Sequence, residues 1–486
     1  MLTFGISANE HDAALAVIDG EKILFASHAE RYSRRKNDPH LNELLIAEAM
    51  RHGQPEQIVW YERPLLKRSR KLYARQFDTA FCPDAASYLR SRFGLTTPVA
   101  KVGHHASHAA AGFFTSQFDE AAVVVVDAIG EWTTVSVWEA RGQSLKCIWR
   151  QRYPHSLGLL YSAFTQRCGF KPNEEEYILM GLAAYGKPVL ADIIREDLIV
   201  PAPAPGFRLR TNVHRGVMWW RPEIGAREDI AASIQAICED YMIALAHWAR
   251  QKTGLANLVL GGGVALNCVA NARVARESGF ERIWIFPNPG DAGSSVGAVA
   301  AFQRNRLAFT NAFLGHDIDR PLDLVGAVAD LAAGAVIGIA NGRAEFGPRA
   351  LGHRSLLCDP RGPETKDRVN AVKQRELFRP FAPAILAEHA AKYFDMPTPS
   401  SPFMQFVATV REPDLFPAIT HVDGTARVQT VTQTDNPTLH ALLTRFHAAT
   451  GCPMLLNTSL NIKGEPLVNT WEDAERFSAR HNVRIY

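Results

Sequence analysis

Short apolar runs separated by polar turns open the chain. Leu2 to Ser7 and Ala13 to Ile18 are two such runs, and Asp19-Gly20 is a type I′ turn signal that leads into Ile23 to Ser27. The pattern predicts a strand hairpin extended by a third strand. Between the first two strands, the polar loop Asn9 to Asp12 would expose an acid or a base at its tip, unless it is an ordinary turn.

A second unit of the same kind follows further along the chain. Val123 to Asp127 and Thr133 to Glu139 predict two strands, and the turn Arg141 to Gln143 separates them from a third, Ser144 to Arg150. Two strand–turn–strand–turn–strand units indicate an internal duplication. This is the pattern of the actin-like, ribonuclease-H-like ATP-binding fold, in which two related halves close on a nucleotide. The predicted fold class is therefore α/β.

A long amphipathic helix precedes two glycine-rich loops. Apolar residues recur at spacings of three and four from Arg227 to Gly254, and the final glycine is predicted to end the helix. Leu258 to Leu260 predicts a buried strand, after which Gly261 to Asn267 opens the next helix. Backbone N–H groups there can approach a phosphate or a ribose, although three glycines also form a tight turn. The strand Ile283 to Phe286 leads into a similar loop, Asn288 to Ser295.

Two histidines and two aspartates predict a metal site. His104 and His108 stand four residues apart on one face of a predicted helix, whereas His105 points elsewhere. Asp127 ends the valine-rich strand, and Asp291 lies on a glycine-flanked loop after another strand. Such loops in two duplicated halves would converge. Imidazole nitrogens with carboxylate oxygens favour Fe(II), Mn(II) or Zn(II) over calcium. The alternative is that these residues only cap their elements.

Two further segments carry unusual composition. Glu62 to Gln76 is rich in Lys and Arg, but three leucines interleave at helical spacing, which predicts the solvated face of a helix without a functional role. Ile199 to Pro222 contains several prolines and the pair Trp219-Trp220. This second segment is predicted to be an inserted loop or cap and not a core element.

The C-terminal part of the chain, from about Asp319, has a different character. Ala335 to Ala340 predicts a strand that leads into a loop with several arginines, and further arginines follow at 361, 375, 379 and 427. Arginine beside glycine and proline on loops suits bidentate binding of phosphates, and few acids interleave to make surface salt bridges. Pro453 to Leu456 predicts a strand. The hydroxyl-rich loop after it contains Ser459 and Asn461 and is of a kind that lines nucleotide sites.

Composition narrows the class of protein. With 486 residues, 47% of them apolar, the chain can form two domains, since single cores stop growing at about 250 to 300 residues. The net charge of +3 leaves nucleic-acid binding unsupported but not excluded. Seven widely spaced cysteines argue against a disulfide framework and fit a reducing compartment. Because no leader or long apolar stretch stands out, we expect a cytoplasmic protein without a membrane segment.

Several longer motifs carry a resemblance to a known family. They are MGLAAYG (180–186), EFGPRALGHRS (345–355), FRPFAP (378–383), HVDGTARVQTV (421–431) and NTSLNIKGEPLV (457–468). Together with the His/Asp stretch, they make the chain resemble the O-carbamoyltransferases, which act on the hydroxyls of antibiotics and nodulation factors. The likeness extends from residue 5 to about residue 475.

The resemblance implies an architecture and a reaction. Residues 1–318 would form an actin-like domain similar to the TsaD-type tRNA-threonylcarbamoyl transferases, and residues 319–486 a YrdC-like α/β domain. The YrdC-like domain would form carbamoyl adenylate from ATP and carbamoyl phosphate, and the first domain would pass the carbamoyl group to an alcohol. A small-molecule acceptor is expected, with a base in DNA as the less favoured alternative. The oligomeric state stays open.

The resemblance also implies roles for individual residues. The residues that would hold an iron(II)-type ion are His104, His108, Asp127 and Asp291; Mg²⁺ is a second candidate ion. The candidate nucleotide contacts are Gly130, Glu131, Gly261, Gly262, Gly263, Asn267, Ser459 and Asn461. The arginines that would neutralise phosphates are Arg349, Arg379 and Arg427. His11 would be the base for the hydroxyl proton, and Lys36 would stabilise charge.

Two other functions remain open from the sequence. One is an actin-like ATPase or sugar kinase without carbamoyl chemistry, which would need neither the paired histidines nor the arginine-rich C-terminal part. The other is a non-catalytic regulator that binds a metal and a nucleotide. For a carbamoyltransferase, the acceptor is expected to enter along Ile199 to Pro222, where Trp219 and Trp220 offer flat surfaces for a ring; the alternative is that they pack a cap onto the core.

Overall fold

The computed structural model describes residues 1–77, 84–203 and 205–486, so Cys82 lies outside the described residues. The chain forms two compact units. Unit 1 consists of Met1–Ala29 and Asn37–Phe309, and unit 2 of Glu30–Lys36 and Thr310–Tyr486. The boundary expected after residue 318 therefore falls inside unit 2. A short N-terminal segment, expected in the first domain, also belongs to unit 2.

Unit 1 contains two five-stranded sheets and a small hairpin among its described residues. Its strands are β1 (Leu2–Ser7), β2 (Ala14–Asp19), β3 (Lys22–His28), β4 (Gln57–Trp60), β5 (Val99–Lys101), β6 (Glu120–Gly130), β7 (Thr133–Arg141), β8 (Ser144–Arg152), β9 (Ile199–Val200), β10 (Arg208–Leu209), β11 (Asn257–Gly261) and β12 (Arg282–Ile285). The sheet orders are β3-β2-β1-β4-β5 and β12-β11-β6-β7-β8, and β9 pairs with β10.

The two five-stranded sheets have the same topology. In the first, β1 pairs antiparallel with β2 and parallel with β4; in the second, β6 pairs antiparallel with β7 and parallel with β11. The outer strands also correspond, because β3 and β8 extend the antiparallel side while β5 and β12 extend the parallel side. The internal duplication predicted from the sequence is therefore present in the strand order.

The strands predicted from the apolar runs are confirmed with small shifts in their bounds. The N-terminal turn forms at Gly20, whose φ of 58° is a left-handed conformation that glycine adopts without strain. The valine-rich strand is longer than predicted: β6 is buried from Ala121 to Asp127 and continues to Gly130. This extension carries the chain from the sheet into the candidate site.

The helices of unit 1 pack around these sheets. Their bounds are Glu43–Met50, Pro64–Tyr73, Ala85–Phe93, His104–Thr115, Leu157–Arg167, Glu176–Ala183, Ala191–Leu198, Arg227–Thr253, Cys268–Glu277 and Ser294–Gln303; Ala29–Ser33 lies where the chain first passes into unit 2. The long amphipathic helix ends as predicted, because Gly254 has φ 69° and its N–H donates to Arg250 O.

Helix Pro64–Tyr73 is oriented opposite to the prediction. Lys67, Arg70 and Lys71 are buried, whereas Leu65 is 77% exposed. A helix normally buries its apolar face, because removing apolar surface from water stabilises the folded protein. In this helix the polar face is buried instead, and its lysines bind carboxylates inside unit 1. The prediction of a solvated basic face is therefore wrong.

Unit 2 is built on a six-stranded mixed sheet. Its strands are β13 (Phe313–Ile318), β14 (Ile337–Ala340), β15 (Gly342–Glu345), β16 (Arg354–Cys358), β17 (Ala382–Leu386), β18 (Phe394–Asp395), β19 (Val407–Val410), β20 (Thr425–Arg427), β21 (Gln429–Val431), β22 (Met454–Ser459) and β23 (Arg484–Ile485). The main sheet has the order β21-β17-β22-β16-β14-β23, and β13-β15 and β18-β19-β20 form smaller sheets. The helices are Leu324–Ala332, Thr365–Lys373, Ala390–Tyr393, Pro437–Thr450 and Trp471–His481.

Both faces of the main sheet of unit 2 are covered. Leu356 and Leu357 are neighbours on β16, so their side chains point to opposite faces. Leu357 belongs to a core with the helices Leu324–Ala332 and Pro437–Thr450, and Leu356 to a second core with the helix Trp471–His481. In the described part of the whole chain, no helix has the length and apolarity needed to cross a membrane.

Candidate active site

The predicted histidines lie at the start of the helix His104–Thr115. His104 and His108 are 3% and 1% exposed and share one face of the helix. His105 points elsewhere, as predicted, and its Nδ1 lies 2.8 Å from Ser136 Oγ. Burial and the neighbouring positive charge of His104 lower the pKa of His105 to about 3, so its ring stays neutral. His105 therefore differs from His104 and His108 both in its position and in its charge.

A neighbouring helix fixes the orientation of His108. The helix Ser294–Gln303 lies so close that a Cβ added to Gly297 would come within 1.9 Å of Ser107 O. Only glycine permits this approach. As a result Ser294 Oγ lies 3.2 Å from His108 Nδ1. The other ring nitrogen, Nε2, faces the aspartates.

The four residues predicted as metal ligands come together. The ligand atoms of His104, His108, Asp127 and Asp291 all lie within 4.8 Å of one another. His104 Nε2 is 3.1 Å from His108 Nε2 and 3.2 Å from Asp127 Oδ2. Asp291 Oδ1 lies 3.3 Å from the Nε2 atom of each histidine. Four donors are thus gathered from one helix, from strand β6 and from the turn that follows β12.

The two aspartates are positioned by strands β6 and β12. Asp127 lies near the end of the buried part of β6, and its Oδ1 accepts a hydrogen bond of 3.2 Å from the N–H of Gly263. Asp291 begins a 3-10 turn, Asp291–Gly293, that leads directly into the helix Ser294–Gln303. The two carboxylates converge as predicted, but Asp127 lies on β6 and not on a loop after it, because the strand continues to Gly130.

Opposite charges dominate the electrostatics of this cluster. Burial disfavours charge on both imidazoles, but Asp291 and Asp127 raise the pKa of His104 well above its usual value and raise the pKa of His108 too. Burial likewise disfavours the carboxylates, yet the histidines hold the pKa values of both aspartates well below the usual range. The two buried carboxylates therefore require compensating positive charge at this point.

The donor set fits a divalent transition metal. Two imidazole nitrogens and two carboxylate oxygens are ligands typical of Fe(II), Mn(II) and Zn(II). The Nε2 atoms of His104 and His108 lie 3.1 Å apart beside the two aspartates, which places both nitrogens where a single cation can bind them. The chemistry of these residues thus matches the predicted metal site.

Gly130 and Glu131 support His104. A Cβ on Gly130 would lie 2.2 Å from His104 Cδ2, so the ring packs directly on the glycine backbone. Glu131 Oε1 accepts hydrogen bonds from the backbone N–H groups of His104 and Arg63, at 3.3 and 2.7 Å. Burial raises the pKa of Glu131 although these bonds oppose the shift. The nucleotide contacts predicted for both residues stay predictions.

The glycine run that begins the loop Gly261–Asn267 packs against the same cluster. A Cβ would come within 2.3 Å of Val126 O at Gly262 and within 3.1 Å of Asp127 Oδ1 at Gly263. Gly262 also has φ 84°, which favours glycine. Close packing against β6 therefore accounts for these glycines, and their contact with a nucleotide stays a prediction.

Asn267 has structural partners for its side chain. Its Oδ1 accepts from Ala270 N at 3.0 Å, which caps the helix Cys268–Glu277. Its amide also exchanges two hydrogen bonds with Gln235, at 2.9 and 3.1 Å. This pairing could not be predicted from the sequence, because the two residues are far apart in the chain. The predicted nucleotide contact of Asn267 stays a prediction.

Sequence reasoning missed a group of charged residues beside the metal site. Lys67 Nζ lies 2.6 Å from Glu10 Oε1 and 2.5 Å from Glu62 Oε1, and Lys71 Nζ lies 2.8 Å from Glu10 Oε1. Burial disfavours charge on Glu10, but the two ammonium groups lower its pKa to about 2. The sequence contains one signal for this group: lysines and leucines are interspersed in the predicted helix, so they do not separate into one polar and one apolar face.

His11 lies in the polar loop predicted from the sequence. Its Nδ1 is 3.2 Å from Asp12 Oδ2, and its side chain is 45% exposed. Burial of the ring opposes its charge, but Asp12 and the more distant Asp291 and Asp127 raise the pKa of His11 to about 10. The imidazole is thus held by an aspartate and is positively charged at neutral pH.

Unit 2 contains a buried lysine at the predicted nucleotide loop. Lys373 Nζ is within hydrogen-bond distance of four uncharged oxygens, two from Ser459 (2.6 and 2.9 Å) and two from Asn461 (2.6 and 2.7 Å). Burial lowers the pKa of Lys373 well below its usual value, and the positive charges of Arg375 and Arg379 lower it further. Sequence reasoning missed Lys373, although its position two residues before Arg375 was a signal.

The other basic residues predicted for binding also lie in unit 2. Lys36 Nζ is 3.1 Å from Glu30, and its positive charge contributes to the lowered pKa of Lys373. Arg379 pairs with Glu376 at 3.5 Å. Two further arginines are half-buried, one in the loop after β15 and one at the end of β20: Arg349 and Arg427.

The described residues of the segment Ile199–Pro222 are largely irregular, as predicted. Its two tryptophans differ: Trp219 is 59% exposed, whereas Trp220 is 2% exposed. The Trp220 ring lies 5.4 Å from the Phe164 ring, and its Nε1 donates to Asp197 Oδ2 at 2.8 Å. The alternative that the pair packs onto the core therefore applies to Trp220.

Comparisons with protein families agree with the resemblance found in the sequence. Residues 69–300 match the family model of the carbamoyltransferase N-terminus, and residues 328–486 match that of the carbamoyltransferase C-terminus. The chain belongs to the O-carbamoyltransferase family.

Three relatives illustrate this membership. An uncharacterized protein of Synechocystis sp. is 39% identical, over 97% of this chain and 93% of that protein. The nodulation protein NolNO of Sinorhizobium fredii is 32% identical, over 96% of this chain and 76% of that protein. The 3'-hydroxymethylcephem-O-carbamoyltransferase of Amycolatopsis lactamdurans is 30% identical, over 95% of this chain and 94% of that enzyme.

Proposed function

We propose that this protein forms carbamoyl adenylate from ATP and carbamoyl phosphate and transfers the carbamoyl group to a hydroxyl of a small-molecule acceptor. The observation that carries the proposal is the buried cluster of two histidines and two aspartates, whose ligand atoms lie within 4.8 Å of one another. An actin-like ATPase or a sugar kinase needs no such imidazole site, so the cluster favours carbamoyl transfer over that alternative.

We infer that unit 1 has the actin-like, ribonuclease-H-like fold and that unit 2 is YrdC-like. The identical strand order of the two five-stranded sheets supports the first inference. The second is supported by the mixed sheet of unit 2, with the loop that binds Lys373 at the end of its strand β22. Adenylate formation is assigned to unit 2 and carbamoyl transfer to unit 1.

Adenylate formation joins two phosphate-containing substrates. Carbamoyl phosphate first loses its phosphoryl group to water, which gives carbamate and phosphate. A carbamate oxygen then attacks the α-phosphorus of ATP, a new P–O bond forms, and the bond to pyrophosphate breaks. Several negative oxygens converge in this step, so cations must neutralise them. The residues proposed for this role are Lys36, Arg349, Lys373, Arg375, Arg379 and Arg427. For Lys36 this replaces the role in carbamoyl transfer that the resemblance implied, because Lys36 belongs to unit 2 and its charge acts on Lys373.

Lys373 is the centre of this proposed anion site. Its acceptors are all uncharged, and the positive charges of Arg375, Arg379 and Lys36 disfavour its ammonium form, so it has no compensating negative charge among the partners described above. A phosphate would supply that charge. Ser459 and Asn461 orient the ammonium group through both backbone and side-chain oxygens. Their proposed role is therefore to hold the lysine toward the nucleotide phosphates.

Carbamoyl transfer requires attack by a neutral hydroxyl on a carbonyl carbon. The ion, which we infer to be Fe(II), Mn(II) or Zn(II), would be held by His104, His108, Asp127 and Asp291 and would act as a Lewis acid for the oxygen that becomes negative. The acceptor oxygen attacks the carbamoyl carbon, the C–O bond to AMP breaks, and the hydroxyl proton passes to a base.

His11 is the proposed base, and it must lose its positive charge before it can act. A base must be neutral before it accepts a proton, whereas Asp127 and Asp291 help to raise the pKa of His11 to about 10. Positive charge bound between these aspartates would cancel that contribution. Asp12 would still fix the ring through Nδ1, which leaves Nε2 for the hydroxyl proton.

The nucleotide of the adenylate is proposed to contact the loops beside the cluster. Gly130 and the glycines of Gly261–Asn267 present backbone without side chains next to the candidate ligands. Backbone N–H groups of this kind bind phosphate or ribose oxygens. Glu131, whose carboxylate already accepts the N–H of His104, lies at the same edge.

The acceptor is proposed to be a small molecule with a hydroxyl group. Relatives of this chain are named for nodulation and for carbamoylation of a hydroxymethylcephem. A net charge of +3 gives no general attraction for nucleic acid. We propose that the acceptor enters along Ile199–Pro222, where Trp219 offers an exposed indole surface.

Release of pyrophosphate tests the proposed reaction. Purified protein with ATP should release pyrophosphate only when carbamoyl phosphate is present, and AMP should accumulate when an acceptor alcohol is added. An ATPase or sugar kinase would instead convert ATP to ADP without carbamoyl phosphate, and a regulator would do neither. Pyrophosphate release that does not depend on carbamoyl phosphate would overturn the proposal.

A further inference from the structure

The helix Pro64–Tyr73 turns two lysines toward the interior of unit 1. The side chains of Lys67 and Lys71 are 10% and 8% exposed, whereas Leu65 and Leu66 on the same helix are 77% and 40% exposed. Burying a charged group costs free energy, and leaving leucines exposed to water gives up the free energy that their burial would contribute. An inverted helix of this kind is more readily explained by a specific task of its lysines than by stability alone.

Glu62 links these lysines to the candidate metal site. Its Oε1 lies 2.5 Å from Lys67 Nζ, and its Oε2 lies 3.8 Å from His104 Nδ1. That ring nitrogen is buried and has no hydrogen-bond partner within the ranges that the structure describes. Histidines that bind metals commonly donate the second ring N–H to a carboxylate, which fixes the tautomer. Glu62 is the carboxylate placed to do this.

Glu10 links the same lysines to the loop that carries His11. Lys67 Nζ is 2.6 Å from Glu10 Oε1, and Lys71 Nζ is 2.8 Å from the same oxygen. Glu10 directly precedes His11 in the chain, so holding its carboxylate limits the movement of the loop. Lys67 therefore contacts two carboxylates that serve two different parts of the site.

We propose that Glu62 and Lys67 are positioning residues. In the metal-bound protein, Glu62 would close the present 3.8 Å separation and accept the Nδ1–H of His104, which leaves Nε2 of that ring free to bind the ion. Lys67 holds Glu62 in place and also anchors Glu10, and through it the loop with His11. The proposal rests on the metal role proposed above for His104. The test of metal affinity does not depend on the identity of the carbamoyl donor or of the acceptor, whereas the measurement of transfer uses the carbamoyl adenylate proposed above as the donor.

Metal affinity of the full-length protein is the primary test. Co(II) affinity is measured by competition with a chelator at one pH, and the visible spectrum of bound Co(II) reports ligand geometry. Glu62→Gln should weaken affinity by about 10- to 100-fold, as loss of a carboxylate behind a ligating histidine typically does. Lys67→Met should also weaken Co(II) affinity, and Lys67→Arg, which keeps the positive charge, should retain most of the wild-type affinity. Arg68→Met, on the same helix, is the matched control.

A second measurement separates the two tasks of Lys67. At saturating metal, Lys67→Met should slow carbamoyl transfer from supplied carbamoyl adenylate, whereas Glu62→Gln should transfer at a rate near that of the wild type. Equal rates for both variants would overturn the link to the His11 loop. A folded Glu62→Gln protein with the Co(II) affinity and spectrum of Arg68→Met would overturn the role of Glu62. Failure of the wild type to bind any metal would overturn the metal assignment itself, and this proposal with it.

Discussion

The imidazole of His104 lies directly against the backbone of Gly130, and a Cβ on Gly130 would come within 2.2 Å of the ring atom Cδ2. The glycine is thus part of the candidate metal centre although it supplies no ligand. His104 Nε2 is simultaneously within 3.3 Å of Asp291 and 3.2 Å of Asp127, so the ring cannot turn away from a larger residue and keep these contacts.

The first prediction is that Gly130→Ala weakens metal binding about tenfold or more, because the added methyl group displaces the His104 ring. Overpacking of this kind should also cost about 1 to 3 kcal/mol in the free energy of unfolding. The measurements are Co(II) competition and denaturant unfolding. Gly103→Ala is the control, since it also neighbours His104 but its Cβ would have 3.8 Å to the nearest atom. Equal Co(II) affinity in the two variants would contradict the prediction.

The metal content of purified variants should distinguish His108 from His105. His108→Ala removes one of four proposed ligands and should leave a weak, exchangeable site, so protein purified without chelator should contain well under one ion per chain. His105→Ala is the control, because His105 is equally buried but contacts Ser136 and not the aspartates. Elemental analysis checks both variants. Full occupancy in His108→Ala would remove that residue from the ligand set.

The two chemical steps should be separable by mutation in unit 2. Arg349→Ala is expected to abolish pyrophosphate release from ATP and carbamoyl phosphate, because it removes a cation proposed to neutralise converging phosphates. The same variant should still transfer the carbamoyl group from supplied carbamoyl adenylate. Arg484→Ala, which removes an exposed arginine of the same unit paired with Asp330 at 3.3 Å, is the control and should retain both steps. A folded Arg349→Ala protein that supplied adenylate fails to rescue would show that this division of steps is wrong.

The two adjacent tryptophans should have different phenotypes. Trp219→Ala removes an exposed indole and is expected to raise the KM for the acceptor several-fold, with pyrophosphate release and thermal stability unchanged. Trp220→Ala creates a cavity against Phe164 and should cost about 3 to 5 kcal/mol in stability. Steady-state kinetics and denaturant unfolding distinguish the two effects. An unchanged acceptor KM in Trp219→Ala would mean that the acceptor enters elsewhere.

Glu10 should contribute to stability in a defined pH range. Its pKa falls from 4.5 to about 2 in the folded protein, so its ion pairs stabilise the fold above pH 4.5 and lose this effect as the pH falls toward 2. The contribution at neutral pH is on the order of 3 kcal/mol. Glu10→Gln should therefore be less stable than the wild type at pH 7, and the difference should shrink between pH 4.5 and pH 2. Urea unfolding at several pH values measures it, and a difference independent of pH would contradict the assignment.

Local patterns predicted the strands, and they predicted most of the cluster of two histidines and two aspartates. The N-terminal hairpin, the valine-rich strand and the long helix each follow from periodicity over neighbouring residues. His104 and His108 are also a local pair. Asp291 could be placed with them because a duplicated fold brings equivalent loops together, which is a long-range inference from topology.

Pairing between distant charges could not be predicted in this way. Helix Pro64–Tyr73 has leucines at helical spacing, and only its contacts with Glu10 and Glu62 reveal why its lysines face inward. Lys373 was missed for a related reason, because its acceptors come from a loop far along the chain. Apolar periodicity does not report which carboxylate or carbonyl a buried ammonium group meets.

The assignment of Glu30–Lys36 to unit 2 limits how the protein can be divided. A fragment that starts at residue 310 lacks Arg31, which donates to Gly347 O at 3.1 Å, and Arg34, which donates to Pro466 O at 3.0 Å. Separate expression of the two halves from a single cut would thus leave the C-terminal half without part of its own interior. Chimaeras between members of the family should exchange residues 30–36 together with the C-terminal half, so three junctions are needed where the linear sequence suggests one.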